Sequence, residues 1–267
     1  MKKIISFIFI SAIVFSVTSC SSSSDNSNSK TIDTVASEVK TDTGTFKIGF
    51  SNGTNEAKAT LVDANGKIKA KGMFINNKLA GAWVRYDENG NVIGAEHYSD
   101  GKPLHTLDKN DFIFRNWENQ QLGFKILVPE KWVELKSPNS ALLASFEKNV
   151  TDTAVHAKPN FNVARAKLDS GQTLEKLGQQ QIEMYHQSFG RIDIVEKSNV
   201  TIDSCTAFRW YGMYQTETNK IGFLNVIIVS GNDAWLFSCE AQNREDGEFL
   251  KYQGVFQQIV ESFHRIK

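Results

Sequence analysis

The chain has 267 residues, with 30 basic and 30 acidic side chains and aromatic residues at 11%. That aromatic content is enough for a substantial core, and the length suits one or two domains. The balanced charge makes no electrostatic case for nucleic-acid binding, which wants a basic face.

The N-terminus follows the order of a secretory signal. Lys2 and Lys3 precede residues 4–17, which are apolar except for Ser6, Ser11 and Ser16. This run is shorter than the roughly 20 residues a helix needs to span a bilayer. It ends in Val17-Thr18-Ser19-Cys20, which resembles the lipobox of bacterial lipoproteins. The resemblance implies cleavage of residues 1–19 and lipid attachment at Cys20, and two or more acyl chains make such an anchor stable. Cleavage also removes Lys2 and Lys3, leaving two more acidic than basic side chains. Residues 21–30 contain only Ser, Asn, Asp and Lys. They have nothing to bury, so residues 20–40 are expected to be a flexible tether. Serine after the cysteine resembles lipoproteins sent to the outer membrane. A lone Asp25 instead of an acidic cluster favours the periplasmic face, with surface exposure as the alternative.

Residues 41–106 repeat themselves. Phe50, Phe74 and Tyr98 are spaced 24 residues apart, and Asp63-Ala64-Asn65-Gly66 recurs as Asp87-Glu88-Asn89-Gly90 at the same interval. Asn-Gly between strand-like runs predicts a tight hairpin with positive φ at both turn positions. Each unit is therefore a β-hairpin that needs its neighbours to cover its apolar face. The run Asn65-Gly66-Lys67-Ile68-Lys69-Ala70-Lys71-Gly72-Met73-Phe74, followed by Gly81-Ala82-Trp83-Val84-Arg85-Tyr86, resembles the bacterial variant of the MORN repeat. That resemblance implies a binding or scaffolding surface, with antitoxin components among its bacterial members. Phe50, Phe74, Trp83, Tyr86 and Tyr98 are the candidate contact residues. The plainer reading is that these rings pack one hairpin on the next.

Residues 107–121 are polar, lack either rhythm, and are assigned to a linker that limited proteolysis should cut. Residues 122–267 form the second domain. Strands are predicted at 124–128, 142–146, 161–168, 192–195, 207–216, 221–230 and 234–242. Helices are predicted at 173–189 and along the face marked by Phe249, Tyr252, Phe256, Ile259, Val260 and Phe263. The strand through Phe223 and Val229 is apolar on both parities, so it is expected to be covered on both faces. Leu122-Gly123-Phe124 leading to Pro129 and Trp132, then Ile202-Asp203 and Ala207, resemble the PsbP-like family. So do Trp235-Leu236-Phe237-Ser238-Cys239 and the pattern of Phe256, Ile259, Val260, Ser262 and Phe263. Glycine is expected at 204, where this chain has serine. The fold expected is α+β: a short β-hairpin repeat array, then an α/β/α sandwich with a mainly antiparallel sheet. The PsbP-like resemblance implies a non-enzymatic binding or assembly factor, and related domains act as chaperones for secreted toxins.

With Cys20 acylated, Cys205 and Cys239 are the remaining cysteines. Turns at Thr218-Asn219 and Gly231-Asn232 would place Leu224 opposite both Met213 and Cys239. Cys205 then lies roughly 28 Å from Cys239, well beyond the ~7 Å that a disulfide tolerates, and Cys239 is expected to be a buried thiol.

The chain lacks a phosphate-binding loop, a dinucleotide fingerprint, a Cys-x-x-Cys pair and a nucleophile elbow. Glu183 with His186 and Glu261 with His264 are both Glu-x-x-His. A di-iron site needs a four-helix bundle with two more glutamates, so solvated helix flanks are the better reading. His97, His105 and His156 stand in turn or edge contexts. No catalytic residue, metal site or cofactor is expected. The function expected is a non-catalytic, lipid-anchored envelope protein that binds or assembles with another envelope protein. The alternative is a toxin-neutralising (immunity or antitoxin) or toxin-chaperone role, and an envelope hydrolase comes third.

Overall fold

A computed structural model describes residues 37–266 apart from 42–43, 51–55, 77, 121, 137–141, 152–154, 156, 170 and 245–246. The expected signal segment, the lipid site at Cys20, most of the tether, and His156 lie outside the described residues.

The first seven strands are β1 (Ser37–Thr41), β2 (Gly44–Phe50), β3 (Glu56–Val62), β4 (Ile68–Ile75), β5 (Lys78–Tyr86), β6 (Val92–Ser99) and β7 (Lys102–Thr106). They form one antiparallel sheet in chain order. The array therefore starts at Ser37, four residues earlier than expected, because Ser37 to Thr41 finds a partner in β2. The turns differ from expectation too. Asp63 Oδ1 accepts hydrogen bonds from the backbone N–H of Asn65 and Lys67, both at 2.9 Å, and only Gly66 is left-handed, at φ 78°. Asp87, Asn89, Asn91 and Gly90 repeat the arrangement. This is a three-residue loop capped by aspartate, not a two-residue Asn-Gly turn. The two-residue form occurs at the other end of the hairpins, where Asp100 and Gly101 have φ 51° and 80°.

Residues 107–121 are not a structureless linker. Leu107, Asp111 and Phe112 are buried, and Lys109–Phe112 is a 3-10 turn capped by Asp108. β8 (Phe114–Asn119) pairs with β9 (Phe124–Pro129). The burial of Asp111 explains the polar look of the stretch: its carboxylate accepts from Trp132 Nε1 at 3.0 Å and meets the Lys148 ammonium at 2.5 Å.

The main sheet comprises β10 (Trp132–Glu134), β11 (Leu142–Lys148), β12 (Asn160–Lys167), β13 (Ile192–Ile202), β14 (Cys205–Gln215), β15 (Lys220–Ser230) and β16 (Asp233–Gln242). Its spatial order is β10-β11-β12-β16-β15-β14-β13, antiparallel throughout. α1 (Leu174–Phe189) starts where Thr173 accepts a hydrogen bond from Lys176 N–H. It packs Leu177 and Ile182 on Trp210, Phe223 and Ile227. α2 (Leu250–Glu261) covers the other face with Val255, Phe256, Ile259 and Val260 against Phe161, Leu224, Val226 and Phe237. β15 is buried on both parities from Ile221 to Ile228, as its composition demands. β17 (His264–Arg265) joins β9 and β8 in a small third sheet. The architecture is α+β, with mostly antiparallel sheets and two helices.

Two sequence expectations about β14 need correction. The turn after it is closed by Thr216 N–H to Asn219 C=O at 2.8 Å, so it centres one residue earlier than expected and Leu224 faces Tyr211 instead of Met213. Leu224 still faces Cys239. Cys205 then lies about 22 Å from Cys239 by strand geometry, and both are buried free thiols. Ser204 makes the preceding turn without glycine: Asp203 and Ser204 take φ 49° and 60°.

The repeat sheet is not a separate body. Val84, Ala95 and Leu107 belong to the same core as α2 and β9, with Ala82, Tyr86 and Val92 packed against it. A Cβ on Gly254 would lie 2.3 Å from the Ala82 side chain, so glycine is what lets β5 lie directly on α2. Lys58 and Glu261 form an ion pair across the junction at 2.9 Å.

Candidate functional site

The structure divides the candidate aromatic surface. Phe74, Trp83 and Tyr98 share one cluster on the outer face of the repeat sheet. Trp83 is buried there, with Phe74 edge-on at 5.5 Å and its indole N–H donating to Met73 C=O at 3.1 Å. It lies flat across Gly72, where a Cβ would sit 2.2 Å from the ring. Tyr98 is fixed by its hydroxyl, which donates to Glu96 at 2.9 Å. Tyr86 is on the opposite parity and packs inward, toward the α2 core. Alternation along a strand puts residues 83 and 86 on opposite faces, and that signal was present in the sequence. Phe50 pairs with Ala57; its side chain lies outside the described residues.

A cleft of about 380 Å³ opens where the repeat sheet meets the second domain. Met73, Ile75, Asn76, Lys78, Ala80, Gly81, His97, Ser99 and Asp100 line it from the repeats, and so does Tyr98, the one predicted contact residue among those described that reaches the cleft; Glu196, Arg209 and Tyr211 line it from β13 and β14; Leu250, Gln253, Gly254 and Gln257 from α2. Arg209 donates to Glu196 at 3.1 Å, and Lys78 is paired with Asp100. His97 is buried, and its Nδ1 has no hydrogen-bond partner among the described residues. Burial first, and the neighbouring His105 second, push the ring down to about 4, so it is neutral at physiological pH. Gln253 and Gln257 are one helical turn apart and half-buried. Their amide groups have no hydrogen-bond partner among the described residues. Pockets at such junctions, with a few converging polar groups, are the usual form of a ligand site.

On the far face of the main sheet sits a buried carboxyl that sequence reasoning missed. Glu240 lies in the core under α1 and receives hydrogen bonds from Tyr185, at 3.4 Å, and Tyr214. The Tyr185 hydroxyl also meets Ser238 Oγ at 2.9 Å and Asn225 Oδ1 at 3.1 Å. Among the described residues none of Glu240's hydrogen-bond partners is a cation. Burial raises its carboxyl to about 7, partly offset by the two tyrosine hydrogen bonds. The one sequence clue is a carboxylate beside Cys239 in the second half of a strand that carries Trp235, Leu236 and Phe237.

The two Glu-x-x-His motifs lie on opposite sides of the main sheet. Glu183 takes a hydrogen bond from Gln179, and His186 Nδ1 faces Gly190 C=O at 3.1 Å. Glu261 pairs with Lys58, and His264 Nδ1 contacts Asp203 at 2.7 Å. Among the described residues no group of three His, Cys, Asp or Glu side chains could hold a metal ion. No described helix is long and apolar enough to cross a membrane.

Comparison with known proteins gives one family. The PsbP family model matches residues 113–265, more than half of the chain. Among solved structures, cyanobacterial PsbP (CyanoP) from Synechocystis sp. PCC 6803 is 15% identical, with a TM-score of 0.45 over 57% of this chain and 92% of that one. LpqN of Mycobacterium tuberculosis, described as involved in cell envelope biogenesis, is 15% identical, with a TM-score of 0.42 over 59% of this chain and 96% of that one. A mutant of protein Mog1 is 11% identical, with a TM-score of 0.45 over 58% and 96%. No curated protein matches the sequence.

Proposed function

This chain belongs to the PsbP family, and we propose that it is a lipid-anchored, non-catalytic binding or assembly module of the cell envelope. The observation that carries the reading is the cleft whose walls come from both the repeats and the PsbP domain. Its chemistry suits holding a ligand better than transforming one. Ser99, His97 and Asp100 share the lining, but Asp100 is engaged with Lys78 and no hydrogen bond links Ser99 to His97 among the described contacts. A nucleophile relay needs both links. An imidazole held near 4 is also a weak base at neutral pH. The outer face with Phe74, Trp83 and Tyr98 is proposed as a second contact surface, in the manner of MORN-like arrays, for another envelope protein.

The sequence supports this placement: the lipobox-like Val17-Thr18-Ser19-Cys20 implies acylation at Cys20, Ser21 after it favours the outer membrane, and the lone Asp25 favours its periplasmic face over surface exposure. Metabolic labelling with a palmitate analogue should mark the protein, and Cys20→Ala should abolish both labelling and membrane retention. A photo-cross-linker at position 257 should trap a partner or ligand in intact cells, identified by mass spectrometry. Turnover of a substrate library by purified protein, or unlabelled soluble protein from the unmutated gene, would overturn the proposal.

A further inference from the structure

We infer that the cleft between the repeat sheet and α2 takes a neutral saccharide. The inference rests on the reading of that cleft as a binding site and adds the ligand's chemistry.

The charges of the cleft are already spent on each other. Arg209 is paired with Glu196 at 3.1 Å and Lys78 with Asp100, while His97 is neutral at physiological pH. Arg209 is the buried charge of the cleft, its side chain 10% exposed, and an anion would have to draw it away from Glu196, which is costly; Lys78 and Asp100 are more than half exposed and screen each other in solvent. A neutral ligand leaves both pairs intact.

What remains uncommitted is amide chemistry. Gln253 and Gln257 point from one stripe of α2, each with two N–H donors and a carbonyl acceptor. Hydroxyl groups donate and accept at once, so a polyol can serve both ends of each amide. Asn76 and Ser99 add polar groups at the repeat wall, and the rest of the lining is apolar or aromatic, with Met73, Ile75, Ala80 and Leu250 on two walls and Tyr98 and Tyr211 beside them. Such surfaces suit the C–H faces of a sugar ring. The cleft's volume is at the small end of ligand pockets, which run to roughly 300–1,000 Å³.

A peptide fits less well, because extended peptides are held mainly by main-chain bonds to a free strand edge. β4, β5, β6 and β14 each have a neighbour on both sides. They offer the cleft side chains and no free edge. β13 is the edge strand, but it contributes only Glu196, at a bulge where the register shifts between Ile194 and Glu196. Bulges of this kind blunt an edge against strand addition.

The test uses the full chain in lipid nanodiscs and saturation-transfer NMR with five probes. Two are neutral (chitotriose and maltotriose), one is cationic (the deacetylated chitosan trimer), one is anionic (trigalacturonate), and one is a neutral Gly-Ser peptide. At least one neutral trisaccharide should bind, about tenfold or more tighter than either charged trimer or the peptide. The double variant Gln253→Ala with Gln257→Ala should weaken it by about tenfold or more through lost hydrogen bonds. Gln257→Glu should shift preference toward the cationic trimer. Preference for a charged trimer or the peptide overturns the inference, as does sugar binding indifferent to all three substitutions. Silence from both neutral sugars also overturns it. If the cross-linker at position 257 still traps a partner in that case, the binding-module reading survives and only the ligand class is wrong. If neither a sugar nor a cross-linked partner appears, both readings fall.

Discussion

Replacing Glu240 by glutamine should make the protein more stable at neutral and alkaline pH, and the gain should vanish in acid. Glu240 is buried, and burial holds its carboxyl at about 7 against an ordinary 4.5. Between those two values the folded chain keeps a proton that the unfolded chain has released. Its contribution to stability is therefore greatest below pH 4.5, falls as pH rises through that window, and levels off above about 7. The full difference corresponds to about 3 kcal/mol. Glutamine is neutral at every pH and can still accept hydrogen bonds from Tyr185 and Tyr214, so its constant cost is about 1 kcal/mol or less. Urea unfolding of both chains at pH 4.5, 6, 7 and 8 would measure it. The stability of Glu240→Gln minus that of the wild type should climb by about 2–3 kcal/mol across the series, with unchanged denaturant slopes. Subtraction cancels the other titrating groups, including Asp108, Asp233 and Glu248, whose carboxyls are lowered in the fold. A difference that stays flat with pH would show that water or a rearranged cation reaches the carboxylate, and the argument from burial would fail.

Three further outcomes can be checked on the same chain. Lys148→Met should cost about 3 kcal/mol, because it strips the cation from the buried Asp111 carboxylate; an unchanged urea midpoint would mean that solvent already screens the cluster. Ser204→Gly should raise the thermal midpoint by the equivalent of about 0.5 kcal/mol, because it relieves a left-handed serine, less the added freedom of the unfolded glycine. A lower midpoint would show that the serine side chain stabilises the turn. Gly254→Leu should lever β5 off α2, given the 2.3 Å approach to Ala82, and expose residues 107–121 to limited proteolysis that the wild type resists. Identical digestion patterns would show that the junction is held by other contacts.

What was legible in the sequence was local. The 24-residue repeat marked the turns because each one must reuse the same aspartate cap and left-handed glycine. β15 announced its double cover through an apolar run on both parities, and α1 through its helical spacing, with Thr173 proving to be the cap and not the first helical residue. The misses have two physical origins. Some came from single-residue phase: centring a turn on Thr218-Asn219 instead of one residue earlier moved Leu224 from Tyr211 to Met213, and grouping Tyr86 with Trp83 ignored the parity of the strand. The others came from polar residues doing structural work inside. Asp111 made a folded segment look like a linker, and Glu240 was passed over although it stands in the core. The cleft belongs to neither kind. Lys78 and Gln257 approach the same space from opposite ends of the chain, and what sets them there is the contact of two of the smallest residues, Ala82 and Gly254. Neither carries a chemical signature that distinguishes a docking point from an ordinary small residue on a strand or helix. A site built on such a junction becomes visible only when both surfaces are in place. The same dependence makes Gly254→Leu informative about ligand binding as well as packing: a substitution that touches none of the cleft's charged side chains should still abolish binding, by moving one wall away from the other.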